Sequence, residues 1–357
     1  FMTQVSASLL CEFVSLAGFA PSGDNSRPWK FVIKEGSVFQ YALLGKDNPA
    51  LNYKHGGTLI ANGAAIENIL AIAAARGYVG EVVYEPLPED ISCVAQITFQ
   101  EQDVPALFTQ EDIERRHTNR TRYQHTPLDQ ELVNRLTTFS ADLPGVRMVI
   151  AEDPAAVVAL GRAGSKAEVV ILETKELHSL SFESVKWTAA EEQVAKSGLF
   201  IDTLELDPIA KFFFRQCRKW GLMNFLNTFR FAHFIASEDA KSYSSGGAYV
   251  GIVVSQTRSV DFLNAGRLAE RAWLLLNKAG YGVHPIVAAL FFGLRIKEGA
   301  VDGLTQKHIE LMVESNRAIE AAFRVGTEEQ VVFMFRTGIA PYPSARSSKA
   351  PPQVSCE

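Results

Sequence analysis

Two long, mostly apolar stretches dominate the pattern of hydrophobic and polar positions. NGAAIENILAIAAARGY spans residues 62–78 and AGRLAERAWLLLNKAGY spans 265–281. Each predicts a helix that is apolar on most sides, and such helices lie in the centre of a domain. Each also closes on Gly-Tyr, with the glycine placed to end the helix. A shift of 203 positions aligns the two stretches at Gly63 and Gly266, Glu67 and Glu270, Gly77 and Gly280, and Tyr78 and Tyr281.

A second pair of similar stretches precedes these helices. SASLLCEFVSLAGFAPSG at 6–23 matches DQELVNRLTTFSADLPG at 129–145 with a shift of 123. Each predicts a helix that leads into a strand, FVI at 31–33 or RMVIA at 147–151. The positions that coincide are Leu9 and Leu132, Phe13 and Leu136, and Pro21 and Pro144. The chain therefore predicts two related α+β units.

The two units are unequal. We place the first at 1–105 and the second at 110–345, joined by the polar stretch 100–112 and followed by a C-terminal tail at 346–357. The second unit carries an insertion over about 165–245 that has no counterpart in the first.

Composition narrows the function classes. The chain has 357 residues, 47% hydrophobic and 21% charged, and a net charge of −5, which argues against a nucleic-acid binder. Its four cysteines form no CxxC pair, which favours a reduced, cytoplasmic compartment. We expect no metal, because no close cluster of ligand residues occurs. We also expect no insertion into a membrane, because no uncharged 18-residue apolar run occurs.

APSGDNSRPW at 20–29 joins the first predicted helix to the first strand. Its proline, glycine and asparagine predict a tight polar turn, and Pro28 favours an extended Arg27. One interpretation is a simple helix-to-strand connector. The other is a rigid turn whose exposed backbone N–H groups bind a ligand.

RRHTNRTR at 115–122 holds four arginines in eight residues. One interpretation is a solvated basic loop. The other is a phosphate cradle, because arginine offers forked donors suited to a dianion. An extended backbone would place Arg116, Thr118 and Arg120 on one face.

Together these motifs resemble the nitroreductase family of FMN flavoproteins, and most of all its fused, Acg-like branch. The three stretches that carry the resemblance are RHTNR at 116–120, APSGDNSRPW at 20–29 and GYGVHPI at 280–286. The family is a mixed sheet packed by helices and is normally a homodimer, whose two subunits build each FMN site together. The resemblance therefore implies an internally duplicated chain that mimics the homodimer. It also implies a monomer with a single composite FMN site, because each motif occurs once.

The resemblance also implies individual site residues. The phosphate and ribityl clamp would be Arg116, Thr118 and Arg120. The turn packed on the flavin would be Pro21, Ser22, Gly23 and Asn25. Near the flavin ring would lie Asn264, Pro285, Ile286, Val287 and Ala288, with the backbone N–H groups of Val287 and Ala288 facing flavin N5 and O4. Arg346 and Lys349 would reach the phosphate from the tail.

The function implied is an oxidoreductase that passes hydride from NAD(P)H through FMN to a nitroaromatic, quinone or similar small-molecule acceptor. The flavin carries that chemistry, so no side chain is expected to be catalytic. The alternative is a protein that stores or sequesters FMN beneath a closed lid.

The segment at 199–234 bears on this choice. It is rich in phenylalanine, lysine and arginine. Three interpretations remain: a plain core helix, a lid over the flavin, or a surface that touches a membrane.

Overall fold

The computed structural model describes residues 5–357 and contains two main sheets. The strands are β1 Trp29–Lys34, β2 Ser37–Ala42, β3 Tyr78–Tyr84, β4 Cys93–Glu101, β5 Val146–Ala151, β6 Val185–Lys186, β7 Leu199–Phe200, β8 Ala248–Val254, β9 Tyr281–Pro285, β10 Gln330–Ile339 and β11 Gln353–Cys356. The helices are α1 Ala7–Ala17, α2 Gly56–Ala75, α3 Gln110–Arg115, α4 Gln130–Thr138, α5 Pro154–Ser165, α6 Ala167–Glu173, α7 Lys175–Glu183, α8 Ala189–Ala195, α9 Pro208–Cys217, α10 Trp220–Asn227, α11 Phe231–Tyr243, α12 Ser259–Lys278, α13 Ala288–Lys297 and α14 Gln306–Phe323.

The same topology occurs twice. The first sheet contains β1-β2-β4-β3 and the second contains β5-β8-β10-β9, and neighbouring strands are antiparallel throughout both sets. A helix precedes each set, α1 or α4, and a long helix, α2 or α12, joins its second strand to its third. This order confirms the α+β class and the internal duplication. We call α1 to β4 the first half and α3 to β10 the second half.

The two long helices cross at the centre of the molecule, where two glycines permit close approach. A Cβ at Gly63 would lie 2.0 Å from the carbonyl oxygen of Leu263, and one at Gly266 would lie 1.9 Å from that of Ile60. These contacts are reciprocal, because the shift of 203 that relates Gly63 to Gly266 also relates Ile60 to Leu263. The crossing therefore has the self-complementary form of a two-fold dimer interface.

The C-terminal tail links the halves a second time. Its strand β11 pairs in parallel with β1 of the first half, with Phe31 opposite Val354. The chain leaves the second sheet at Ile339, so residues 340–352 cross from one half to the other. This crossing carries Arg346 and Lys349 along the boundary between the halves.

Helices α6 to α11 lie between β5 and β8. The last three of these pack their inner faces on a small core that includes Met223 and Ala232, both fully buried. Asp207 caps the start of α9 by accepting hydrogen bonds from the N–H groups of Ile209 and Ala210. The outer faces of α9 to α11 leave several phenylalanines exposed.

Candidate functional site

A cavity of about 660 Å³ lies between the halves. The first half contributes Pro21–Ser26 and part of α2, while the second half contributes Arg116–Arg120 except Asn119 and part of α12. The tail adds Arg346 and Lys349. The structure therefore brings the two sequence motifs to opposite walls of one space, and the volume lies within the range of small-molecule and cofactor sites.

The turn at Pro21–Ser26 is held in place from outside. Asp24 and Asn25 have φ values of 46° and 53°, which closes a short 3₁₀ turn over Gly23–Asn25. The side-chain amide of Asn25 donates to the carbonyl oxygen of Ser348 at 3.0 Å and accepts from Lys349 Nζ at 3.1 Å. Asn25 is therefore occupied with the tail, which positions the turn against the cavity.

The expected extended geometry of Arg27 is wrong. Its φ is 53°, on the left-handed side. Its backbone N–H donates to Ser22 Oγ at 2.9 Å, and its Nη1 donates to the carbonyl oxygen of Ala350 at 3.2 Å. These two hydrogen bonds offset the steric preference that Pro28 imposes.

Arg116 lines the cavity, but its side chain is only 3% exposed. Its Nη2 donates to the carbonyl oxygen of Phe19 at 2.8 Å, and its Nε lies 3.2 Å from Glu270 Oε1. The guanidinium also lies 4.5 Å from the ring centre of Trp273. Among the described residues, Nη1 has no hydrogen-bond partner. Arg116 thus links the first half to α12. It gives the cavity positive charge but little accessible surface.

Arg120 is the more accessible arginine of the pair. Its Nη1 makes two long hydrogen bonds to Thr203, 3.3 Å to the carbonyl oxygen and 3.4 Å to the hydroxyl. Thr118, on the same segment, is half-buried and also lines the cavity. Burial lowers the pKa of Arg120 from its ordinary value.

A buried arginine that the sequence analysis did not identify supports this segment. Arg336 on β10 is fully buried, and its Nη2 donates to the carbonyl oxygens of Arg120 and Thr121 at 3.2 and 2.9 Å. Its Nε lies 3.1 Å from His284 Nδ1, and its guanidinium stacks over Tyr123. The one available signal was a lone arginine within the apolar run VVFMFRTGI.

Arg346 and Lys349 approach the cavity from the tail. Arg346 Nη2 donates to the carbonyl oxygens of Glu114 and Arg116 at 2.7 and 3.1 Å. Lys349 Nζ also lies 3.4 Å from the carbonyl oxygen of Ala20. These contacts hold Arg346 beside the Arg116–Arg120 segment and Lys349 beside the Pro21–Ser26 turn.

The cavity wall is strongly cationic. Apart from His117, its ionisable lining comprises six basic side chains and two acidic ones: Lys46, Arg116, Arg120, Lys186, Arg346 and Lys349, with Asp24 and Asp47. Burial and then the charge of Arg116 lower the pKa of Lys349 to about 7. Burial raises the pKa of Glu270 to about 7, although Arg116 opposes that rise. An anion in the cavity would relieve this crowding of like charges.

The GYGVHPI motif contributes in part. Pro285 and Val287 line the cavity, whereas Ile286 points the other way and packs beside Gly164. This alternation follows from the extended backbone at the end of β9. Ala288 packs on the core of the second half and is not part of the cavity lining.

The structure does not bring Asn264 to the cavity. Helix α12 presents Gly266, Ala269 and Trp273 to it. Asn264 lies two residues before Gly266, which places it about 200° around the helix. There its Oδ1 accepts from the Tyr84 hydroxyl at 2.6 Å and its Nδ2 donates to the carbonyl oxygen of Pro144 at 3.0 Å.

The region between β5 and β8 closes one side of the cavity. The residues that do so are Leu180, Ser184, Lys186, Ser197, Gly198, Leu199 and Thr203. Of the segment 199–234, only Leu199 and Thr203 belong to the described lining. The aromatic helices α9 to α11 contribute no residue to that lining.

Among residues 5–357, no group of three or more His, Cys, Asp or Glu side chains is arranged to hold a metal ion.

The stretch Tyr53–Ala75 is long and apolar enough to cross a membrane by length and composition alone, and 78% of its most apolar window is buried inside the fold.

Comparison with family models found no match. The chain is 23% identical over 335 residues to an uncharacterised protein of Mycobacterium tuberculosis, covering 92% of this chain and 46% of the relative. It is 31% identical over 203 residues to the putative NAD(P)H nitroreductase Acg of the same organism, covering 53% of this chain and 57% of that protein. The chain thus spans about half the length of the curated relatives that it matches. The similarity to Acg confirms the resemblance predicted from the motifs.

Solved structures gave more distant likenesses. A nitroreductase with bound FMN from Bacteroides fragilis is 9% identical with a TM-score of 0.35, covering 67% of this chain and 92% of that one. An FMN-dependent nitroreductase from Clostridium difficile is 13% identical with a TM-score of 0.34, covering 67% and 95%. At these scores the two superpositions carry no inference about the site.

Proposed function

We propose that this chain is an FMN-dependent oxidoreductase of the nitroreductase type, with one composite FMN site per chain. The observation that carries the proposal is the cavity itself. The Pro21–Ser26 turn of the first half and the Arg116–Arg120 segment of the second half form its walls. The similarity to Acg, a putative NAD(P)H nitroreductase, supports the reaction class.

The residues present fit a flavin phosphate. The cavity has a net excess of basic side chains, and Lys349 has a pKa lowered to about 7 in part by its cationic neighbours. Arg120 holds only two long hydrogen bonds, so most of its donors remain available to an anion. We therefore assign the phosphate to Arg120, Arg346 and Lys349, with Arg116 acting through its charge and Thr118 beside them.

The start of α13 supplies backbone donors. Val287 lines the cavity and is the N-cap of α13. The first N–H groups of a helix have no partner within the helix and carry partial positive charge. We assign them to stabilise negative charge on the ligand, which is the role that the resemblance implies for Val287 and Ala288.

Bound FMN supplies hydride chemistry, taking two electrons from a donor and passing them to an acceptor. The chain's own residues bind the phosphate, orient the ring and exclude water. We propose NAD(P)H as donor and a nitroaromatic, quinone or similar small molecule as acceptor. Because the halves already form the composite site, we expect the chain to be a monomer.

A specific observation favours a second candidate, FMN storage. Residues from Leu180 to Thr203 close one side of the cavity. If that wall keeps nicotinamide away from the ring, the protein binds FMN without turnover.

The visible absorption spectrum of the FMN-loaded protein under anaerobic conditions separates the two candidates. Bleaching of the flavin band by NADH or NADPH supports the oxidoreductase. Bleaching by dithionite alone supports storage. Arg120→Ala is the binding control, and a loss of flavin from that variant ties the spectrum to this cavity. Failure of the native chain to bind FMN would refute both candidates.

A further inference from the structure

An exposed aromatic surface covers the outer side of α9, α10 and α11. Phe229 is 73% exposed and Ile209 is 71% exposed. We call this region the aromatic surface, and its members are Ile209, Phe212, Phe213, Leu222, Phe225, Phe229 and Phe234. Within it the ring centres of Phe212 and Phe213 lie 5.8 Å apart and those of Phe225 and Phe229 lie 5.6 Å apart. Clusters of exposed apolar side chains mark interaction sites.

The spacing of these residues shows that they form a helical face. Ile209, Phe212 and Phe213 follow the i, i+3, i+4 pattern on α9, and Leu222 and Phe225 lie three apart on α10. The opposite side of each helix is also apolar, because Phe214, Cys217 and Met223 pack into the protein. The core is therefore already complete without the aromatic surface, and the exposed rings are available for another partner.

The charges around the surface indicate what that partner is. Lys211, Arg215, Arg218, Lys219 and Arg230 lie within α9 to α11 and their joining turns. From Pro208 to Ser237 the sequence contains no Asp or Glu, although the whole chain has a net charge of −5. Lys211 is paired with Asp202 at 2.7 Å, and Glu238 and Asp239 lie farther along α11, but Arg215, Arg218, Lys219 and Arg230 make no salt bridge among the described residues. Exposed phenylalanines beside four such cations match an anionic, partly apolar surface.

We propose that the aromatic surface docks onto an anionic phospholipid bilayer. Its rings would enter the boundary between headgroups and acyl chains, and its lysines and arginines would contact lipid phosphates. Helices of 10, 8 and 13 residues are too short to span the bilayer, so the attachment is peripheral. This inference rests on the surface alone and does not depend on the proposed function.

A second copy of the chain fits the surface less well. In a two-fold dimer the same patch meets itself, so the four basic residues that make no salt bridge, Arg215, Arg218, Lys219 and Arg230, would face four identical ones. No carboxylate between Pro208 and Ser237 is available to pair with them. Anionic lipid supplies the missing negative charge, whereas a copy of this surface would add more positive charge.

Co-sedimentation of the full chain with vesicles tests the proposal. One set of vesicles contains phosphatidylcholine alone and the other adds phosphatidylglycerol. We expect binding to the anionic vesicles only, weakening as salt is raised. Phe225→Ser with Phe229→Ser should lower the partition by at least about tenfold, since burial of both rings drives insertion. Arg218→Gln with Lys219→Gln should lower it by roughly fivefold per charge.

The matched control is Ile91→Ser, an 80% exposed apolar residue in the first half, which should bind like the native chain. Equal partition onto both vesicle types, or no sedimentation of the native chain, would overturn the proposal whatever the variants do. So would light scattering that shows a native dimer dissociated by the phenylalanine substitutions, because the surface would then be a contact between copies.

Discussion

Arg116 is expected to control how stability varies with pH, through Glu270. Arg116→Met keeps most of the buried volume but removes the charge. At pH 7 the loss comes from the hydrogen bond to the Phe19 carbonyl and the stacking on Trp273. The substitution also removes the buried Nη1 group, which has no hydrogen-bond partner among the described residues, and this offsets part of the loss. We therefore expect Arg116→Met to lower the free energy of unfolding by about 2 kcal/mol.

The pH dependence is the sharper part of this prediction. Glu270 is fully buried, and its pKa is raised from 4.5 to about 7 in the native chain. A group whose folded-state pKa is raised loses stability as pH rises from its unfolded pKa to its folded pKa. In the native chain this loss therefore ends near pH 7. Without Arg116 the pKa of Glu270 rises further, so the variant continues to lose up to about 1.4 kcal/mol per pH unit.

Urea unfolding of the native chain and Arg116→Met at pH 6, 7, 8 and 9 measures this difference. We expect the gap between them to widen by about 1–2 kcal/mol from pH 7 to pH 9. Adding Glu270→Gln to Arg116→Met should remove the part of the widening that Glu270 causes, and Lys349, whose pKa Arg116 also lowers, accounts for what remains. Parallel stability profiles for the native chain and Arg116→Met would refute the assignment of Glu270 as the group that Arg116 keeps ionised.

Four further predictions concern the site and the fold. Arg120→Ala should weaken FMN binding by about 1.5–3 kcal/mol, the value of a hydrogen bond to a charged group; fluorescence titration measures this, with the exposed neighbour Arg122→Ala as the unaffected control. Because an anion raises the lowered pKa of Lys349, FMN binding should take up a proton, and the affinity should fall by up to about tenfold per unit above pH 7; a Lys349→Arg variant with the same slope would contradict this. Gly266→Ala should destabilise the fold by about 3 kcal/mol, since its Cβ would overlap the Ile60 carbonyl; Gly45→Ala, which meets no atom within 4 Å, is the control in urea unfolding. FMN released by denaturation should amount to one per chain, and two per chain would rule out the single composite site.

Local sequence pattern predicted much of the fold. The helix before the Pro21 turn, the strand that contains FVI at 31–33 and the helix within 129–145 all occur where periodicity places them. The reciprocal shift of 203 predicted the central pair of helices, because a duplicated sequence repeats its buried face. These features depend on residues close together in the chain.

The parts of the site that the sequence did not predict depend on distant contacts. Asn264 matched a family position, yet its helical phase directs it towards Tyr84. The burial of Arg116 depends on Glu270 and Phe19, which no spacing in the sequence connects to it. Arg336 supports the clamp from a different sheet strand. Sequence pattern indicates which residue types are present at a site. Which of them are buried, and which groups they contact, depends on how the two halves pack together.

The duplication also explains why one chain would hold one site. Glu67 occupies the position in the first half that Glu270 occupies in the second. Glu270 faces Arg116 beside the cavity, but Glu67 is bound by Arg267 and Arg271 of α12 at 3.1 and 2.6 Å.

The two halves also correspond at the ends of α1 and α4, the helices that precede their sheets. Arg116 donates to the Phe19 carbonyl after α1, while Arg271 donates to the Phe139 carbonyl and to Asp142 after α4. An arginine built into α12 thus takes the place that the Arg116–Arg120 segment takes on the other side. Because these internal ion pairs already satisfy the charges there, the mirror position has no comparable need for an anion. We therefore expect a single FMN per chain, in agreement with the proposed composite site.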